Sequence, residues 1–321
     1  MRSLVVSFIT KDSYTKLREF GLISLEDVLN STLQVPYKTI ILVDDSSDAT
    51  REVFKKWCEM NGKELVITES KLYGGFNKPT RAIARQTAIN LFLENFSEEF
   101  LMFVDDDVIL KDGWWNWVEE NKVLEDEKVG EVWGISWDPT PERELFLKFF
   151  GINLKDYLIK KFYERGGTHD TIYRRKALEK VVIPPELHMY EDAYLHKWVA
   201  EHGWKSAINP VGVLHYHPTS YWTTDLKREK EKLRIAIQAA LNYGIVEYET
   251  VKPLVELSKQ SGFRKIVAYL SLIKPILGFF PMALVSIKVA GFQRGLKEAL
   301  IRQYLKLWVR YTVLRGLSNR P

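Results

Sequence analysis

Four short runs rich in β-branched and apolar residues, LVVSFI (4–9), TIILV (39–43), ELVITE (64–69) and EFLMFV (99–104), punctuate the first third of the chain. Each is too short for a typical helix and is bounded by polar or turn-forming residues, as a buried strand requires. The segments between them read as helices: apolar residues recur at helical spacing from Tyr14 to Leu33, over 50–60 and over 78–95. Strands alternating with helices specify an α/β fold with a mostly parallel sheet covered on both faces. Such sheets bind ligands at the carboxyl ends of their strands, near a topological switch point. Two acidic clusters, VDDSSD (43–48) and VDDDV (104–108), stand at such ends. Asp105, Asp106 and Asp107 would repel one another unless something positive sat among them, so a bare turn explains them less well than a cation site.

Beyond the fourth run the pattern is mixed. A Trp-rich helix (114–124) leads to VGEVWGISW, a strand, and then to a helical stretch at 141–164. HDTIYRRKALEKV reads as a strand running into a helix. MYEDAYLHKWVAEHGWK reads as a helix closed by Gly203, and SAINPVGVLHYH as a further strand. The single cysteine, Cys58, excludes an intramolecular disulfide and a multi-cysteine zinc site and suits a reducing compartment. MRSLVVSFITKDS has a short apolar run and no small-residue cleavage site, so no signal peptide is expected. Tyr73-Gly74-Gly75 is no dinucleotide fingerprint, and no phosphate-binding P-loop pattern occurs.

The net charge of +4 hides an asymmetry. Residues 261–321 carry 11 Lys/Arg against one acid, Glu298, a balance of +10, which leaves −6 for the rest of the chain. A basic tail on an acidic body implies an anionic partner, membrane lipid or nucleic acid. Residues 266–292 are apolar, but Lys274, Pro275, Pro281 and Lys288 interrupt them, and the longest uncharged run, Pro275 to Ile287, has 13 residues. A helix needs about 20 to cross a bilayer. The next helix sets Arg302, Lys306 and Arg310 in one row, with Leu305, Trp308 and Val309 on other faces. That pattern suits a helix lying in the membrane interface.

From about residue 3 to 220 the motifs follow, in order, those of the family 2 glycosyltransferases, which the chain resembles. VSFITKDSYTKL resembles the family's first strand and donor-binding turn, VDDSSDAT its second-strand motif, and RAIARQTAI a helix that normally reads Ala-Arg-Asn-x-Gly. Gln86 and Ala88 depart from that last pattern. VDDDV is similar to the Asp-x-Asp motif, MYEDAYLHKW to the Glu-Asp motif that opens an acceptor-side helix, and VLHYHPTSY to a segment that supplies a histidine to the metal.

The resemblance implies a GT-A fold, a Rossmann-like mixed and mostly parallel sheet with helices on both faces, over residues 1–225. A helical connector (226–260) and basic amphipathic helices (261–321) would follow. It implies an inverting transferase that uses a nucleotide diphosphate sugar and a divalent metal, Mn2+ or Mg2+. Donor contacts would come from Thr10, Asp12, Asp44, Asp45, Arg85 and Asp105, and metal ligands from Asp105, Asp107 and either His215 or His217. Asp107 is the stronger candidate for the metal and Asp105 for the ribose side, while Asp106 points the other way. Asp192, beside Glu191, would be the general base. The basic tail adds the expectation of a lipid-linked or membrane-proximal acceptor, an anionic membrane surface as partner, and a place at the cytoplasmic face of the membrane. A homo-oligomer is compatible with all of this, and no nucleic acid is expected. Two other classes would share parts of the pattern: a nucleotidyltransferase acting on sugar phosphates, and a non-catalytic binder of nucleotide sugars or nucleic acid.

Overall fold

The computed structural model describes residues 4–137, 167–187, 190–216 and 279–318, with isolated residues between these segments. The chain divides into two compact units, Met1–Pro139 with Arg165–Tyr221, and Thr140–Glu164 with Trp222–Pro321. Most of the helices expected at 141–164 and 225–260, and the boundary expected near 260, lie outside the described residues.

The first unit is built on an eight-stranded mixed sheet: β1 (Leu4–Thr10), β2 (Tyr37–Asp44), β3 (Glu64–Thr68), β4 (Phe100–Val104), β5 (Val108–Leu110), β6 (Val129–Trp137), β7 (Ile172–Arg174) and β8 (Lys205–His215). Their order is β3-β2-β1-β4-β7-β6-β8-β5. The first four strands of that order run parallel; β7 is antiparallel to β4 and β6, and β5 is antiparallel to β8. The α/β class with a mixed sheet is therefore as expected, and the antiparallel strands lie on one side of β4. β1 has β2 and β4 as its two neighbours, which makes it the topological switch point.

Continuous apolar runs form these strands because both faces are buried. Val6, Phe8, Ile40, Leu42, Met102 and Val104 join one core with Leu17, Val28, Leu29, Phe54 and Trp57. Phe8 meets Phe54 edge-on at 5.1 Å between ring centroids. The alternate residues Val5, Ile41, Val43, Leu101 and Phe103 are equally buried. They face the side covered by a long helix, Arg81–Asn95, which packs on β1 and β2.

Among the described residues the helices are α1 (Ser13–Phe20), α2 (Leu25–Ser31), α3 (Thr50–Asn61), α4 (Arg81–Asn95), α5 (Trp114–Glu120), α6 (Arg175–Leu178), α7 (Glu191–Glu201), α8 (Phe279–Ala290) and α9 (Phe292–Ser318). The segment Tyr14–Leu33 is helical as expected, but broken in two. Gly21 closes α1 in a left-handed conformation (φ 70°), and Ser24 starts α2 through a reciprocal capping box with Asp27. In the second unit α8 and α9 pack together. Gly295 permits the close approach, since a Cβ there would stand 2.3 Å from the Ser286 carbonyl oxygen. Among the described residues no helix is long and apolar enough to cross a membrane.

Candidate active site

Because β1, β2 and β4 run parallel, their carboxyl ends emerge side by side: Thr10 pairs with Asp44, and Phe8 with Val104. Asp44 is fully buried. It accepts hydrogen bonds from the Thr10 and Ser46 hydroxyls and from Arg51 Nε at 2.6 Å. A buried carboxylate needs such compensation, and Arg51, in the first turn of α3, supplies it while also reaching Glu69 at 3.0 Å. Thr10 and Asp44 are thus buried and bonded to one another across the two strand ends. Asp12 and Asp45 are half-buried beside them. Asp12 accepts from the Ser47 amide at 2.8 Å, and Asp45 from the Ser70 amide at 3.1 Å and hydroxyl at 2.6 Å.

β4 ends at Val104, so Asp105, Asp106 and Asp107 occupy the turn into β5 rather than a strand. The strand alternation expected for the triplet therefore does not apply, and contacts set each direction. Asp105 receives Arg85 Nη2 at 2.9 Å. Burial alone would raise its pKa, but Arg85, Arg81 and His215 outweigh that and lower it to about 2. Asp106 bonds the Ser13 hydroxyl at the start of α1. Burial, then Asp107, push its pKa up to about 6.

Asp107 Oδ1 stands 3.2 Å from His215 Nε2. The antiparallel pairing of β5 with β8 sets Val108 opposite His215 and so brings the two together. Ser136 Oγ holds the other ring nitrogen of His215 at 3.2 Å. The ring of buried His169 stacks on His215 at 5.5 Å and bonds the Gly134 carbonyl at 3.1 Å. Asp170, fully buried next to it, accepts from Trp114 Nε1 at 2.7 Å and from the Gly134 amide at 3.1 Å. His217 lies outside the described residues.

Among the described residues no group of three or more His, Cys, Asp or Glu side chains is arranged to hold a metal ion. Asp107 and His215 nevertheless offer an oxygen and an imidazole nitrogen from one place. Two protein ligands fit a hard cation that takes its other positions from phosphate oxygens and water.

α7 completes the site. Glu191 is buried, and its Oε1 accepts from Arg85 Nε at 3.1 Å. Its Oε2 has no hydrogen-bond partner among the described residues. Burial raises the Glu191 pKa and Asp192 adds to the rise, against the pull of Arg85. Asp192 is half-buried in the first turn, with Oδ1 accepting from the Ala193 amide at 2.7 Å. Arg85, buried over the Phe103 ring, therefore ties the aspartate turn after β4 to the start of α7.

The glycosyl transferase family 2 model matches residues 22–182, half of the chain. The chain belongs to glycosyl transferase family 2. The family 2 match contains Asp44, Asp45, Arg85, Asp105 and Asp107 and stops short of Asp192 and His215, which the fold adds to the same site. Among solved structures, a mannosyltransferase from Pyrobaculum calidifontis, in complex with GDP-Man and Mn2+, is similar over 97% of this chain and 86% of its own, at a TM-score of 0.56 and 16% identity. A glucosyl-3-phosphoglycerate synthase from Mycobacterium tuberculosis, in complex with phosphoglyceric acid, covers 77% of this chain and 81% of its own, at a TM-score of 0.49 and 16% identity. The first likeness supports the GT-A fold. No curated protein matches the chain. As a family 2 member the protein is a glycosyltransferase.

Several site residues have no counterpart in the sequence reading. Arg81 lies one turn before Arg85; desolvation acts against its charge, but Glu191, Asp105 and Asp107 raise its pKa. The spacing of Arg81 and Arg85, i and i+4, was the available signal. Arg51, Ser13, His169 and Asp170 carried none, because tertiary contacts alone bring them to the aspartates.

Proposed function

We propose that this glycosyltransferase moves a sugar from a nucleotide diphosphate donor, with inversion, to a lipid-linked or membrane-proximal acceptor. One observation carries this reading: Arg85 bridges Asp105 and Glu191, so the strand-end aspartates and the Glu-Asp helix form one site. Asp107 and His215 would hold Mn2+ or Mg2+, with His217 the alternative to His215. When bound, the cation neutralises charge on the departing diphosphate. Asp12 and Asp45 receive the base and ribose, while Thr10 and Asp44 hold the two strand ends in register. Arg85 keeps the Asp105 carboxylate charged and fixed toward the ribose side.

Asp192 takes the proton from an acceptor hydroxyl as it attacks the anomeric carbon. With an acceptor phosphate that is already ionised, Asp192 orients it instead. The protein would work at the cytoplasmic face of a membrane. The exposed Phe280, Leu284, Phe292, Leu300, Tyr304 and Tyr311 of α8 and α9, together with the basic tail, support that placement.

GDP-mannose and UDP-glucose are the first donors to assay, each with Mn2+. Release of nucleoside diphosphate is expected, and pyrophosphate release would instead indicate a nucleotidyltransferase. Asp107→Ala should abolish the Mn2+ dependence of turnover. Asp192→Asn should lower kcat by about a hundredfold or more if the acceptor is a hydroxyl, and near-normal turnover would remove Asp192 as base.

A further inference from the structure

Glu131, in β6, is buried to 1% exposure. Its hydrogen bonds among the described residues come from His196 Nδ1 and the Ser206 hydroxyl, both to Oε1, and Oε2 has no hydrogen-bond partner. Tyr173, directly across the strand pair, is also buried, with its hydroxyl lacking a hydrogen-bond partner. A carboxylate buried this deeply is costly unless a positive charge is paired with it. The group in place to supply that charge is His196, in the middle of α7.

The His196 ring stands edge-on to Trp133 of β6 at 6.3 Å. Around it are Glu131 from β6, Ser206 from β8 and, one turn back on its own helix, Asp192. Residues at i and i+4 share a helix face, so the bond that docks His196 on the sheet also fixes the rotation of the turn carrying Asp192.

We propose that Glu131 and charged His196 form a positioning pair that docks α7 on the sheet and sets where Asp192 stands. The proposal rests on the reading of Asp192 as the base. Desolvation opposes the charge on His196, but Glu131 and then Asp192 raise its pKa above the usual value. The pair is therefore intact below the ordinary histidine value of about 6.5 and is lost as pH rises through the folded-state value. Deprotonation releases α7, so turnover should fall on the alkaline side.

The test uses the full-length protein and NMR titration of its histidines, with His196→Gln assigning the resonance. His196 is expected to titrate above about 6.5, lower in Glu131→Gln, and lower by a smaller step in Asp192→Asn. The Asp192 side-chain carboxyl carbon should show an inflection at the His196 midpoint that disappears in His196→Gln. In release of nucleoside diphosphate from GDP-mannose or UDP-glucose, His196→Gln should lower kcat by about ten- to a hundredfold with little change in KM. It should also remove the alkaline limb of the pH profile. A His196 midpoint at or below about 6.5 in the folded parent, or an Asp192 resonance blind to it, overturns the proposal. Loss of the base role shows separately, as normal turnover in Asp192→Asn with the NMR coupling intact.

Discussion

Arg85 is nearly out of solvent, with 4% of its side chain exposed, and so is Glu191, with 3%. Asp105, on the other arm of the guanidinium, keeps a quarter of its side chain at the surface. Removing the cation would leave a buried carboxylate and a half-buried one without their hydrogen-bonded partner, with only the more distant charges of Arg81 and, for Asp105, His215 to offset them. Arg85→Met is therefore expected to cost about 3–5 kcal/mol, measured by urea unfolding, with turnover lost as well. A variant within about 1 kcal/mol of the parent would show that the bridge is not what holds these carboxylates charged. Arg85→Lys keeps a charge but not the fork that spans two acceptors, and should fall between the two. At this scale the aspartates themselves were legible, since three adjacent carboxylates after an apolar run demand a reason. Their contact partners were not: Asp105 goes to Arg85, Asp106 to Ser13 and Asp107 to His215 because of contacts from three separate elements.

At the scale of elements, the parallel strands were readable from their apolar runs, and the turn that splits Tyr14–Leu33 has its cause in Gly21 and Ser24. β5 was not readable, because three residues carry no period. Yet β5 pairs with β8 and so places Asp107 beside His215. The register of β8 depends in turn on Gly212, which has φ 65° and lies so close to β6 that a Cβ would stand 2.0 Å from the Ile135 carbonyl oxygen. The register between β6 and β8 shifts at this point. Gly212→Ala should cost about 1–3 kcal/mol from the left-handed backbone alone, and the clash adds to it. It should also weaken Mn2+ binding, measured by isothermal titration on the folded fraction, by moving His215. Unchanged metal affinity in a folded Gly212→Ala protein would separate the register shift from the site.

For the whole molecule, the charge asymmetry was plain in the sequence, and it motivates the membrane assignment. In α9, Leu300 and Tyr304 are 52% and 41% exposed and lie one turn apart. If that face enters a lipid interface, Leu300→Asp with Tyr304→Asp should reduce flotation with anionic vesicles severalfold while leaving nucleoside diphosphate release from a soluble donor unchanged. Equal flotation of parent and variant, or retention of RNA in place of lipid by the parent, would refute the lipid assignment. The amino-acid order by itself determined the α/β class and the clustering of acidic residues at the strand ends. Each of these follows from local periodicity and from the cost of clustering like charges. Only the tertiary structure decided which carboxylates are buried and which keep surface exposed. It alone also brought His215 to Asp107 and, through Arg85, the start of α7 to Asp105, because compensation of a buried charge comes from whatever the fold packs beside it.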